Sequence, residues 1–175
     1  QVPHIKSTEN YAVTSIPFQP YAWTTPTGIE LTSTYIDDQF SDSITLGFPF
    51  CFFGGTYSKC VVGSNGIISF DVVSNANQDN AYVLQTGGNP QPIPYAGGSP
   101  GSISPAYYPR ASIMGAYTDI DPSNSSTTPP ADRKIEYRIE GTAPCRTFVA
   151  SFYHVPYFFC QDSIVTEQIA FHENT

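Results

Sequence analysis

ITLGFPFCFFGGTYSKCVVGSNGIISFD, residues 44–71, decides how the rest of the chain is arranged. Ile44, Leu46, Phe48, Phe50 and Phe52 fall on alternate positions, the period of a strand with one buried face. Gly54-Gly55 interrupts the apolar run, and a second run follows through Val61-Val62. Asn65-Gly66 predicts a two-residue hairpin turn, because both central positions of a type I′ turn need positive φ. Beyond it, Ile68, Phe70 and Val72 are the expected buried side of a third strand. The stretch predicts a three-stranded meander. It specifies a fold and names no reaction.

The hairpin across Gly54 also predicts a disulfide. With Gly55-Thr56 as a two-residue loop, Gly54 faces Tyr57 and Cys51 faces Cys60 at a non-hydrogen-bonded pair. Such pairs bring Cα atoms to about 4.5 Å, within the reach of a disulfide. A four-residue loop keeps the same partners. Cys145 and Cys160 flank a connection expected at Phe152–Val155, and closing that loop makes them the second pair. Two other connectivities remain open for four cysteines.

Outward from this stretch, composition sets the class. The chain has 175 residues, enough for one domain with a core of its own, and carries twelve Tyr, twelve Phe, thirteen Gly and sixteen Pro. That balance favours short strands and turns over helices. The expected fold is all-β, an antiparallel β-sandwich with long irregular loops, in a single domain spanning 1–175. A net charge of -8 with seven Lys plus Arg excludes a nucleic-acid reader and disfavours anionic lipid. No apolar run approaches the ~20 residues of a membrane helix, so direct membrane insertion is not expected. Four cysteines in an acidic, Lys-poor chain suggest an oxidising compartment.

Pro3, Pro17, Pro20 and Pro26 keep the first thirty residues extended, and Trp23 reads as a half-buried anchor. Residues 74–111 form one long irregular segment of Asn, Gln, Gly and Pro, a length that is usually functional or variable. Its Tyr82, Tyr95, Tyr107 and Tyr108 are candidates for stacking on sugars, or else aromatics that cover a sheet edge. Further strands are expected at Ile113–Tyr117, Lys134–Glu140, Cys145–Phe152, Tyr153–Cys160 and Thr166–Phe171.

Signals for chemistry are sparse. His4, His154 and His172 are scattered, and neither Gly-x-Ser-x-Gly nor His-Glu-x-x-His occurs, so no catalysis is expected. Asp119 and Asp121 are the best metal candidates. Two carboxylates two apart on an extended chain project to one side, as oxygen ligands for calcium require, with Asp37 and Asp38 joining if the loops meet. The alternative is an Asx turn at Asp121-Pro122-Ser123 with solvated carboxylates. Asn124-Ser125-Ser126 is an N-glycosylation sequon.

FPFCFFGGTYSKCVVGSNGIISFD resembles the segment shared by nidogen-type (NIDO-like) domains, an aromatic F-x-F-x-x-G strand before an S-N-G-x-I-S-F strand. SIMGAYTDIDPS (112–123), GTAPCRTFVASF (141–152) and TEQIAF (166–171) are similar to the version carried by large surface proteins of gliding bacteria exported by type IX secretion, including SprB-like adhesins. The resemblance covers residues 10 to 175 and records framework. It implies a non-enzymatic extracellular module of a cell-surface adhesin, acting in surface attachment or gliding motility, with surface glycans or proteins as partners. It also implies that the chain is the N-terminal fragment of a longer polypeptide, incomplete at its C-terminal edge, where the family adds another strand. The alternatives are a carbohydrate-binding module using 74–111, or a structural subunit of a surface filament that shares strands between neighbouring copies. Ser43 and Ser163 stand in the D-[S/T]-aliphatic pattern used for O-glycosylation in the bacteria that own this secretion route.

Overall fold

A computed structural model describes residues 15, 17, 19–23, 28–82, 85, 86, 89, 90, 111–123 and 128–174. The alternation that opens the sequence is realised in β2 (Ile44–Phe52), whose residues are buried and exposed in turn from Ile44 to Cys51. β2 pairs with β3 (Gly55–Gly63), which pairs with β4 (Ile67–Ser69), which pairs with β7 (Ser112–Met114), all antiparallel. A second antiparallel sheet has the order β1 (Ile29–Glu30), β8 (Lys134–Glu140), β9 (Thr147–Tyr157), β10 (Cys160–His172). A small ribbon, β5 (Gln85–Thr86) with β6 (Asn89–Pro90), stands apart in the pairing. Apart from one 3-10 turn at Thr32–Thr34, the helical content among the described residues is a single turn, α1 (Val72–Asn75), started by Asp71, which accepts the Ser74 N–H at 3.2 Å.

The core lies between the two sheets. Ile44, Leu46, Phe48, Phe50, Cys60, Val62, Ile68 and Phe70 face Ile135, Phe148, Ala150, Phe152, Ile169 and Phe171. Phe171 is its hub, with ring centroids 4.4 Å from Phe50, 4.8 Å from Phe148 and 5.5 Å from Phe70. A smaller apolar cluster of Phe40, Val61 and Ile67, joined by Val72 and Met114, covers the other face of β3 and β4. Both faces of this part of the first sheet are therefore buried. Val72 belongs to that cluster as the first residue of α1, and not to a third strand's inner face.

The turns differ from the expected ones. Gly63 pairs with Ile67, so Ser64-Asn65-Gly66 is a three-residue loop, and only Gly66 takes positive φ, +77°. Between β2 and β3 the turn is Phe53-Gly54, with φ of +44° and +83°, two residues before the expected loop. Cys51 consequently pairs with Thr56 and Cys60 with Ile44. Cys51 is exposed while Cys60 faces the core, so the expected Cys51–Cys60 bridge is corrected: the two thiols lie on opposite faces and both are free.

Cys145 and Cys160 are also free. The chain does not turn at Phe152–Val155. It continues through as β9, eleven residues long, with a register irregularity against β10 at Tyr153-His154, where His154 takes a φ of +51°, and turns at Phe158-Phe159. Glu140 pairs with Thr147 at one end of β9 and Tyr157 pairs with Cys160 at the other. At roughly 3.3 Å per residue these ends stand about 33 Å apart, which rules out a Cys145–Cys160 bridge within one chain.

The arm before β1 lies on the outer face of the second sheet. Backbone carbonyls of Tyr21, Ala22 and Trp23 accept hydrogen bonds from Gln168, Arg138 and Lys134, and the Trp23 ring sits 5.5 Å from that of Tyr153. On this face Glu136 and Arg138 are nearly fully buried and paired at 3.6 Å. No described helix is long and apolar enough to cross a membrane.

Candidate functional site at the acidic loop end

Where β3 turns into β4, residues of four loops are tied through Asn65, which is wholly buried. Its side-chain amide donates to Asp38 Oδ1 at 2.7 Å and to the Asn80 carbonyl at 2.9 Å, and its Oδ1 accepts the Ile120 N–H at 3.0 Å. Asn80 Oδ1 in turn accepts the Asn65 N–H at 3.2 Å. Ser64 Oγ accepts the Gln39 N–H at 3.0 Å. The polar residues of the Ser-Asn-Gly turn thus spend their bonds inward. A side chain at Gly63 would collide with Asn80 Oδ1, which explains the glycine there without any demand on φ.

The loop 117–123 is fastened to the β9–β10 hairpin. Ile120 bridges to Tyr157, the Asp121 N–H donates to the Pro156 carbonyl at 2.9 Å, and the Phe158 N–H donates to the Asp119 carbonyl at 3.0 Å. Asp37, Asp38, Asp79, Asp119 and Asp121 are gathered by these ties into one acidic end. Burial, reinforced by the charges of Asp38, Asp121 and Asp119, pushes the Asp37 carboxyl up to about 7. Asp119 is pushed up to about 6 by burial, then by Asp38 and Asp121. Asp38 and Asp79 are raised as well, burial again being the largest cause. Asp37 Oδ1 is buried without a hydrogen-bond partner.

The loops carrying Asp37, Asp38, Asp119 and Asp121 do meet, but they form no cage. Among the described residues, no three Asp, Glu, His or Cys side chains converge as metal ligands. Asp121 has no exposed surface, and its Oδ1 accepts from both the N–H and the hydroxyl of Ser123. It makes the Asx turn, with a buried carboxylate rather than a solvated one.

Tyr82 lies at this end, half-buried, its ring 5.4 Å from that of Tyr117 and the pKa of its hydroxyl raised by burial and then by the charge of Asp119. Tyr95, Tyr107, Tyr108 and the Asn124-Ser125-Ser126 sequon lie outside the described residues. Ser43 and Ser163 are exposed. Asn65, Asn80, Asp79 and Tyr117 were not singled out by sequence reasoning. For Asn65 a signal existed in the Asn-Gly pair, but it was read as a turn former; Asn80 and Asp79 sit in a polar run that marks no single position. A separate cavity of about 360 Å³ lies between the arm and β10, lined by Pro20, Tyr21, Trp23, Thr166, Glu167 and Gln168 among others.

The family model described as NIDO related matches residues 10–175. Comparison with curated proteins and with solved structures gives no match. The matched span takes in both sheets, the Ser-Asn-Gly turn that knots the loops and the acidic end built on it, and the chain belongs to the NIDO-related family.

Proposed function

We propose that this domain is a non-enzymatic extracellular module of a cell-surface adhesin, serving attachment or gliding on a surface after export by type IX secretion. NIDO-type domains are generally extracellular, which supports the placement. The observation that carries the reading is the Asn65 knot. The motif residues that distinguish the segment are wholly buried and tie loops together, so the motif secures a rigid scaffold and leaves the loops to make contacts. The mechanism is binding and mechanical display without turnover. Beads coated with the purified domain, pulled from polysaccharide- and protein-coated glass under flow, test it. Retention above that of beads coated with an unrelated acidic β-sandwich is expected; equal detachment would remove the adhesive role.

A second reading is carbohydrate binding at the acidic end, favoured by Tyr82 and Tyr117 standing beside Asp119. Calcium belongs to this reading, as a ligand of Asp119 and Asp121 that must reorganise the Asx turn to bind. A glycan array probed with and without calcium, using Tyr82→Ala as control, separates the two readings. In a third, strand sharing in a filament, the receiving element is β10, the edge of its sheet.

A further inference from the structure

The arm crosses the outer face of the second sheet over a row of polar side chains that it satisfies only in part. Strand register sets Glu136 of β8, Ser151 of β9 and Gln168 of β10 side by side, with Arg138 one row along. Glu136 is 2% exposed and Arg138 6%. Their charged ends stand 3.6 Å apart, longer than a hydrogen bond. Glu136 Oε1, Arg138 Nη1 and Gln168 Oε1 are all buried with no hydrogen-bond partner. Buried polar atoms are almost always bonded, so three such atoms beneath one strap call for an explanation. The donors of this face are mostly served, since Lys134 Nζ, Gln168 Nε2 and Arg138 Nη2 reach the carbonyls of Trp23, Tyr21 and Ala22. The acceptors are not. Pro20, next to the residue whose carbonyl Gln168 holds, has no N–H to give.

We propose that this face is a binding site for an extended peptide segment of another protein, and that the arm occupies it in cis as a displaceable strap. The arm shows how a chain is held there, by three successive main-chain carbonyls and a single ring contact. The site therefore reads a peptide backbone more than a particular sequence. A segment with an N–H at the position of Pro20 supplies what the arm lacks, a donor for Gln168 Oε1 beside the carbonyl that Gln168 Nε2 already holds. The cavity of about 360 Å³ between the arm and β10 gives such a segment room to settle, with Tyr21 and Trp23 on one side and Thr166 and Gln168 on the other. Displacing the arm costs little, because an incoming chain remakes the same carbonyl bonds as it takes the arm's place.

The site is distinct from the acidic end, and its test is independent of the attachment assay. It uses the whole chain and two end-capped pentapeptides. Gln-Pro-Tyr-Ala-Phe copies residues 19–23 with Trp23→Phe, and Gln-Ala-Tyr-Ala-Phe adds Pro20→Ala. Trp23 is the protein's single tryptophan, so its emission reports displacement of the arm. A saturable red shift is expected with each peptide as the ring leaves Tyr153 for water. The proline-free peptide should bind about fivefold tighter, the equivalent of one added hydrogen bond. Gln168→Leu should erase that difference, and Lys134→Met should weaken both peptides alike, with far-ultraviolet circular dichroism unchanged. The absence of a saturable shift, equal affinities for the unsubstituted protein, a preference that survives Gln168→Leu, or binding indifferent to Lys134→Met would each overturn the proposal. So would a concentration-dependent dimer that the peptides do not disperse, since the face would then be taken by the arm of a second copy.

Discussion

Phe171 and Asn65 hold the molecule in two different ways, one by apolar contact and one by hydrogen bonds. Phe171 touches the rings of Phe48, Phe50, Phe70 and Phe148, so removing it opens a cavity that strand ends on both sheets cannot fill. Phe171→Ala is expected to cost about 3–5 kcal/mol in urea unfolding. Asn65 contributes little apolar surface, yet Asn65→Ala leaves the Ile120 N–H, the Asn80 carbonyl and Asp38 without their partner. A loss of about 3 kcal/mol is expected, since buried groups left unsatisfied lose their full desolvation term. Asn65→Asp should be at least as damaging, because it keeps the size while setting a carboxylate against Asp38. A neutral result for Asn65→Asp would show that the loops are held by shape and not by this amide.

At the scale of elements, the two hairpin turns and the acidic loops carry separable predictions. Phe53 is 84% exposed and sits at φ +44° in a turn whose geometry suits Asn. Phe53→Asn should raise stability by roughly 0.5–1 kcal/mol, less than the full left-handed penalty because the contact with Phe52 is lost. Unchanged or lower urea midpoints would mean that this contact outweighs the strain. The acidic loops respond to pH instead. Asp37 and Asp119 have folded-state values of about 7 and about 6, above the ordinary 3.8. The folded chain therefore binds more protons than the unfolded one within that window, and stability falls as pH rises from about 4 to 7. Melting temperatures should drop across this range, and Asp37→Asn should flatten the drop; a profile rising toward pH 7 would contradict the clustering. The strands themselves were legible wherever one face is buried. Ile44–Phe52 was readable from alternation alone, and the alternation of Ile135, Tyr137 and Ile139 placed Lys134–Glu140, although its other face, expected to meet water, holds the buried Glu136 and Arg138 and Ile139 is exposed. Turn positions were not. A glycine pair does not say which of its members takes positive φ, and Phe53 hides a turn behind a residue that disfavours it. The break expected at Phe152–Val155 is instead an irregularity inside one strand: His154 takes a φ of +51° and the register against β10 shifts there, but β9 continues to Tyr157. The cysteine pairings failed with those turns, since a two-residue shift moved Cys51 opposite Thr56.

For the whole molecule, the sandwich and the arm laid upon it need not share one stability. The sheets are joined by a continuous apolar core, while the arm at Tyr21–Trp23 is held by three side chains reaching its carbonyls and by the ring contact of Trp23 with Tyr153. Three bonds at about 1 kcal/mol each barely offset the ordering of several residues at about 1–2 kcal/mol apiece. Against release stands the buried pair of Glu136 and Arg138, which the arm helps to cover. Exposing that pair to water costs little, because both ions regain hydration and Arg138 keeps Glu140. The arm is therefore expected to detach before the sheets unfold. The protein's one tryptophan is on this arm, so its fluorescence reports the arm while far-ultraviolet circular dichroism reports the strands. In a urea titration the fluorescence midpoint should precede the dichroism midpoint, and Trp23→Phe should leave the dichroism midpoint nearly unchanged. Superimposable transitions would instead make the arm an integral third layer, its few visible bonds backed by cooperative packing over Val149 and Ser151, both buried on the outer face.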